Sequence, residues 1–222
     1  ISACLVGSEM CIRDSKWIVC EGFSDKLYLE YYLSRYTTSN VKILPMAGAK
    51  GVLRIFDYLD IPVRDEKREI YGRVLCLIDT DENITHAGKN EIDDVLYVRR
   101  LMTSPAHPYL LKTTDSLVNP PTEIEDLLEV SVLGEALDEL HSSDFANIKS
   151  HFEDCKHPNM PAGIALDLNK TQTKVLKSMY ATGDQKVSLA KIFIKHHTAI
   201  DLNPPSWLEQ VCELLNIEMV TK

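Results

Sequence analysis

The 222-residue sequence lacks an excess of basic residues and lacks long apolar runs. It contains 24 Lys and Arg against 33 Asp and Glu, which gives a formal net charge of −9 at pH 7. Proteins that coat nucleic acid nonspecifically depend on positive charge, so this class is disfavoured. A nuclease is still allowed, because clustered carboxylates that await metal ions lower the formal charge in the same way. No run approaches the ~20 apolar residues of a membrane-spanning helix, which predicts a soluble fragment without a membrane partner.

Cysteine is scarce and has no metal-type CxxC spacing. Outside the first fifteen residues only Cys20, Cys76, Cys155 and Cys212 are present. Cys20 and Cys76 lie inside apolar strand patterns, which is typical of small core residues. Unpaired cysteines of this kind are expected in a reducing compartment, so the sequence predicts a cytoplasmic protein.

Motifs of several common chemistries are also missing. The segment Gly48-Ala-Lys-Gly51 lacks the GxxxxGK[ST] spacing of a P-loop, and no dinucleotide-binding fingerprint is present. There is no GxSxG elbow and no ordered set of Ser, His and acid. These absences disfavour a P-loop nucleotide site, a dinucleotide-dependent enzyme and a serine hydrolase within these residues.

The first fifteen residues differ in character from the rest. Residues 4–15 read CLVGSEMCIRDS and resemble the in-frame translation of a transposon-based sequencing adapter. We therefore predict that residues 1–15 are an artefact and that the native sequence begins near Lys16, inside the first strand. Because a central strand is an unusual start for a domain, we expect upstream sequence to be missing.

Apolar strand patterns alternate with helical patterns in the first part of the chain. Strands are predicted at 17–20, 41–44 and 73–78, and helices are predicted at 24–35 and 52–59. The third strand is the most apolar, which is typical of the centre of a sheet. The repeated strand-helix-strand order predicts an α/β fold with parallel strands and right-handed crossovers.

The pattern after the third strand predicts mostly helices. We expect a helix at about 91–102, a fourth strand at 109–113 and a capping box from Thr122 to Glu125. Further helices are predicted at 131–140, 173–180, 187–197 and 205–215.

Acidic residues follow the first and third predicted strands. Glu21 and Asp25 come after the first strand, and Asp79 and Asp81 come after the third. Because the carboxyl ends of parallel strands meet at one edge of a sheet, we expect these side chains to lie close together. Carboxylate oxygens are the ligands that Mg²⁺ and Mn²⁺ prefer. The sequence therefore predicts a divalent-metal site at this edge.

Each of these acids has an alternative without a metal. Glu21 could be a turn acid that caps the following helix, and Asp25 could be a first-turn carboxylate favoured by the helix dipole. Asp79 and Asp81 could be loop acids. The capping-box spacing accounts for Glu125 equally well.

The ordered motifs together resemble a Toprim domain. They are Glu21-Gly22 after the first strand, the Gly48 to Gly51 turn after the second, and Asp79-Thr80-Asp81 after the third. Toprim is the Rossmann-like metal-binding fold shared by bacterial primases, topoisomerases and OLD-family nucleases. The resemblance covers about residues 16–130 and implies a parallel sheet flanked by helices.

Two further features are closest to the OLD branch of that family. They are Asp25, four residues after Glu21, and the segment Ile124-Glu125-Asp126. The resemblance implies phosphodiester cleavage with two Mg²⁺ or Mn²⁺ ions, with DNA as the substrate and RNA as an alternative. It also implies an upstream ATPase domain in the same chain, homo-oligomerisation through the missing part, and a role in phage defence.

The resemblance further implies roles for individual residues. The implied metal ligands are Glu21, Asp25, Asp79, Asp81 and Glu125. The implied catalytic residues are Glu21, Asp79, Asp81 and Lys186. Lys50 and Lys191 are candidates for substrate binding. An exposed helix face remains an alternative for Lys186 and Lys191, and a tight turn is an alternative role for the Gly48 to Gly51 segment.

Three functions therefore stay open from the sequence. The first is a metal-dependent endonuclease with a Toprim-like domain at 16–140 and a mostly helical C-terminal extension at 141–222. The second is a nucleotidyl-transferring Toprim enzyme such as a primase or topoisomerase. The third is a non-catalytic Toprim module that regulates a partner ATPase.

Overall fold

A computed structural model describes residues 15–65, 72–80, 89, 91–92, 94–103, 108–114 and 121–220. The chain divides into two compact units. The sheet unit comprises Ile1–Met102, Tyr109–Pro121 and Pro204–Lys222, and the helical unit comprises Thr103–Pro108 and Thr122–Asn203. The predicted division at residue 140 stays a prediction.

Five strands form one sheet in the order β2-β1-β3-β4-β5. The strands are β1 (Lys16–Cys20), β2 (Val41–Pro45), β3 (Arg73–Ile78), β4 (Leu96–Thr103) and β5 (Pro108–Lys112). β1 pairs in parallel with β2 and β3, and β3 pairs in parallel with β4. The α/β prediction is confirmed, and the most apolar strand, β3, is the central one.

Eight α-helices accompany the strands in the described residues. They are α1 (Phe23–Tyr36), α2 (Ala49–Asp65), α3 (Val130–Phe145), α4 (Lys149–Glu153), α5 (Ala162–Ala165), α6 (Lys170–Ser178), α7 (Gly183–Thr198) and α8 (Ser206–Leu215). The longer helices agree with the predicted periodicity. None of the helices in the described part of the chain has both the length and the apolar character needed to cross a membrane.

The core of the sheet unit forms on both sides of the strands. Val52 and Phe56 of α2 join one buried cluster with side chains from β1, β3 and β4. Elsewhere in the unit, Tyr32 of α1 and Trp207 of α8 meet edge to face, with ring centroids 5.4 Å apart. Both rings are fully buried. Burial of this apolar area is the main stabilising term for the sheet, and it holds the strand ends that carry the acidic motifs.

The helix predicted at 91–102 is wrong, because this segment contains strand β4. All eight residues of β4 are buried, including Arg99 and Arg100. Arg99 forms an ion pair with Glu91, which lets a charged side chain remain inside the fold. The two arginines interrupt the apolar run, and polar residues among apolar ones are also typical of an amphipathic helix. The segment was therefore predicted to be helical.

The helical unit contains a 3₁₀ helix at Ile124–Leu127, followed along the chain by α3 to α7. Its capping box uses Glu123 and Asp126, and the Glu123 N–H donates to Asp126 Oδ2 at 2.8 Å. The predicted box of Thr122 and Glu125 was therefore displaced by one residue. Thr122 is instead buried, with its hydroxyl 3.3 Å from that of Thr103.

Candidate functional site

The acids after β1 and β3 meet at the carboxyl edge of the sheet. Glu21 directly follows β1, and its Oε1 accepts a hydrogen bond from the backbone N–H of Asp79 at 2.8 Å. Asp79 directly follows β3, the parallel neighbour of β1. The structure thus brings together two residues that are 58 positions apart in the sequence.

The turn after β2 lies beside the same carboxylate. The Gly48 N–H donates to the Glu21 carbonyl oxygen at 3.0 Å. Gly48 has a φ of +82°, which favours glycine, and a Cβ at this position would lie 4.0 Å from Glu21 Oε2. Backbone conformation rather than space therefore calls for glycine here, which confirms the expected tight turn. The carboxylate of Glu21 lies between this turn and the end of β3.

Asp25 is buried and holds the start of α1. Its Oδ2 accepts from the Gly22 N–H at 2.9 Å, and its Oδ1 accepts from the Ser24 hydroxyl at 3.2 Å. This agrees with the alternative that the sequence left open, a first-turn carboxylate of the helix. Its predicted role as a metal ligand stays a prediction.

Cys20 is the last residue of β1, and its thiol is buried near this edge. Burial raises the pKa of Cys20 well above its ordinary value, and the charges of Asp25 and Asp79 raise it further. Cys20 therefore remains a neutral thiol.

The oxygen donors at the edge suit a hard divalent cation in chemical type. Glu21 and Asp79 follow adjacent parallel strands, and the Glu21 carboxylate is hydrogen bonded to the Asp79 backbone. Within the described residues, no group of three or more His, Cys, Asp or Glu side chains is placed to hold a metal ion. Asp81, the third acid of the predicted set, lies outside the described residues.

Two predicted substrate-binding lysines are exposed. Lys50 lies in the first turn of α2, directly after the Gly48 turn. Lys191 lies on α7 of the helical unit. Their predicted roles stay predictions.

The helical unit contains a second group of charges, which includes Glu125 and Lys186. Glu125 is completely buried, and its Oε2 lies 3.3 Å from Lys186 Nζ. The same ammonium lies 3.1 Å from Glu123 Oε2. The structure therefore pairs a predicted metal ligand with a predicted catalytic lysine.

Lys177, which the sequence analysis did not identify, completes this group together with Asp126. Lys177 of α6 contacts both carboxylate oxygens of Asp126 at 2.8 and 2.7 Å, and it lies 3.6 Å from Glu123. We call Glu123, Glu125, Asp126, Lys177 and Lys186 the acid–lysine cluster. No local sequence signal could have identified Lys177, because it is 51 residues away from Asp126.

The acid–lysine cluster predicts a dependence of stability on pH. Burial alone would raise the pKa of Glu123, but the charges of Lys177 and Lys186 outweigh burial and hold the pKa below its ordinary value. A carboxylate with a lowered pKa stabilises the folded state above its unfolded pKa, about 4.3, and loses this contribution as pH falls through the folded pKa. We expect Lys177→Met to raise the Glu123 pKa and so to reduce this acid-dependent loss of stability.

The measurement is urea denaturation of wild type and variants between pH 3 and 7. Lys174→Met is the matched control, because Lys174 is an exposed lysine on the same helix. The expectation fails if wild type, Lys177→Met and Lys174→Met lose the same free energy of unfolding over this range.

Comparisons of the chain with protein-family models, curated proteins and solved structures find no match. The resemblance to Toprim domains therefore rests on the motifs and their order.

Proposed function

We propose that this chain cleaves phosphodiester bonds of DNA with the help of divalent metal ions. The observation that carries the proposal is the 2.8 Å hydrogen bond from the Asp79 N–H to Glu21 Oε1, which joins the two acidic motifs at one sheet edge. Two acids that end neighbouring parallel strands are a typical way for an α/β domain to present oxygen ligands. The motif order further favours an OLD-like nuclease associated with an ATPase and with phage defence.

In this proposal Glu21, Asp79 and Asp81 hold the metal ions. Mg²⁺ or Mn²⁺ would supply charge neutralisation on the phosphoryl oxygens and activation of a water. The hydrogen bond to the Asp79 backbone fixes the Glu21 carboxylate in one orientation before any ligand arrives. Pre-orientation of this kind reduces the reorganisation needed when the substrate binds.

Residues near the proposed metal site hold its backbone in position or add positive charge for the substrate. Asp25 caps α1 and so holds the Glu21-Gly22 turn in place. Lys50 is an exposed cation beside the Gly48 turn, where it can contact a substrate phosphate. Glu125 and Lys186 pair in the helical unit, and their part in the chemistry remains the prediction drawn from the motifs.

The test is nicking of supercoiled plasmid by the purified protein. We expect conversion to the nicked form with Mg²⁺ or Mn²⁺, no conversion with excess EDTA, and loss of activity in Asp79→Ala prepared in parallel. Asp57→Ala is the matched control and should retain activity. Asp57 belongs to α2, is 57% exposed and forms a surface ion pair with Lys89.

Two outcomes would contradict the proposal. One is equal nicking by wild type and Asp79→Ala, which would trace the activity to a contaminant or another site. The other is a folded wild-type protein that leaves plasmid, linear duplex and single-stranded DNA intact with both metals.

A further inference from the structure

An exposed aromatic ring lies beside the carboxyl edge of the sheet. Among the described residues, the large exposed apolar side chains are Phe23, Leu44, Tyr58, Ile61 and Val220. Phe23 is the first residue of α1 and follows Glu21 by two positions. Its side chain is 52% exposed, although burial of a Phe side chain stabilises a protein by about 1.5–3 kcal/mol.

The backbone around Phe23 holds the ring outward. Ser24 and Asp25, the next two residues, are only 4% and 6% exposed. The hydrogen bond from the Gly22 N–H to Asp25 closes the first turn of α1 around Phe23. The ring is therefore presented to solvent on a rigid turn that also carries Glu21.

A cation accompanies the ring. Lys26 Nζ lies 5.8 Å from the centroid of the Phe23 ring, within the range of a cation–π contact. Lys26 is 27% exposed, and its ammonium also lies 3.5 Å from Glu30 Oε1. Lys50 adds an exposed positive charge at the start of α2, after the turn that contacts Glu21. An aromatic face with nearby cations is the combination that single-stranded nucleic-acid sites use, the ring for a base and the cations for phosphates.

We infer that Phe23 is a stacking platform for an unpaired base of a DNA strand, with Lys26 beside it as a phosphate contact. The inference rests on the proposed function, because it places the bound strand beside Glu21 and Asp79. The net charge of −9 provides no general attraction for DNA, so local contacts have to supply affinity. A base in a duplex is already stacked on its neighbours, so the platform favours single-stranded or locally opened DNA.

Tyr58 offers a matched control in the same unit. It is also an exposed aromatic residue, with 64% of its surface accessible. It lies nine residues after the first residue of α2, about 13 Å along the helix at a rise of ~1.5 Å per residue, and so away from the strand-end edge. Its removal tests whether any exposed ring would give the same effect.

The experiment measures binding of a fluorescently labelled 12-nucleotide single-stranded DNA by anisotropy, with EDTA present to prevent cleavage. We expect Phe23→Ala to weaken binding about tenfold, in the range of ~1–3 kcal/mol for base–aromatic stacking. Phe23→Trp should bind as tightly as wild type or more tightly, and Tyr58→Ala should bind like wild type. A duplex of the same sequence should show less than about a twofold change in Phe23→Ala.

The outcomes separate this inference from the proposed function. If Phe23→Ala binds single-stranded DNA within twofold of wild type while wild type nicks plasmid with Mg²⁺, base stacking on Phe23 is refuted and the nuclease proposal is retained. If wild type does not nick plasmid but Phe23→Ala and Phe23→Trp differ in DNA affinity as expected, base stacking on Phe23 is supported and the nuclease proposal is refuted. Equal losses in Tyr58→Ala and Phe23→Ala, or no binding of single-stranded DNA by the folded wild type, would overturn the platform.

Discussion

Glu21→Gln is expected to lose Mg²⁺-dependent nicking while keeping the stability of wild type. The glutamine side-chain oxygen can still accept the hydrogen bond from the Asp79 N–H, so we expect the free energy of unfolding to stay within about 0.5 kcal/mol. The negative charge that would bind a metal ion is lost. We expect a decrease of about 1000-fold in the nicking rate, equivalent to about 4 kcal/mol of barrier.

Two companion variants make this result specific. Glu21→Ala should lose the activity and also about 1 kcal/mol of stability, because the Asp79 N–H loses its acceptor. Glu209→Gln, at an exposed glutamate of α8 in the same unit, should change neither property. Plasmid nicking and urea denaturation provide the two readouts. Glu21→Gln with the wild-type rate would remove Glu21 from the metal site.

Lys186→Met is expected to destabilise the helical unit by about 2–3 kcal/mol. Glu125 has no solvent exposure, and the ammonium of Lys186 lies 3.3 Å from its carboxylate. Removal of one partner leaves the other charge in a buried position, which is far more costly than loss of a surface pair. The expected value lies below the ~3–5 kcal/mol typical of fully buried pairs, because the Lys186 side chain is 23% exposed.

A double-mutant cycle measures the coupling between these two side chains. Lys186→Met combined with Glu125→Leu should recover part of the lost stability, because the double variant buries no charge at this position. Lys191→Met, at an exposed position on the same helix, should change the free energy of unfolding by less than about 0.5 kcal/mol.

The cycle also tests the catalytic role that the motifs imply for Lys186. A Lys186→Met variant with wild-type stability would contradict the structural role argued from the buried contact. Lost nicking in that same stable variant would instead agree with catalysis.

The strands and helices that could be predicted are those whose apolar residues form a continuous run or recur at a regular spacing in the sequence. β3 was predicted at 73–78 and is found at Arg73–Ile78, because a continuous apolar run is typical of a strand buried on both faces. β4 was missed for a related reason. Arg99 and Arg100 look like surface residues in the sequence, and the ion pair with Glu91 that accommodates Arg99 in a buried strand is a tertiary contact.

One part of the candidate site could be predicted from the sequence, and another part could not. The placement of Glu21 and Asp79 at one edge could be predicted, because it follows from parallel pairing of the strands that precede them. The hydrogen bonds of Asp25 could not be predicted, since a first-turn acid can serve either as a cap or as a ligand.

The sequence by itself determined the α/β class, the parallel direction of the first three strands and the edge of the sheet at which Glu21 and Asp79 lie. These depend on periodicity and on strand direction, which are local properties. The tertiary structure alone decided that Glu125 is buried against Lys186, that Lys177 holds Asp126, and that Phe23 remains exposed beside Glu21. Contacts between charges more than 50 residues apart depend on how the helices pack. The sequence alone does not distinguish one acidic residue from another, because each has the same carboxylate and only the packing brings a particular lysine next to it.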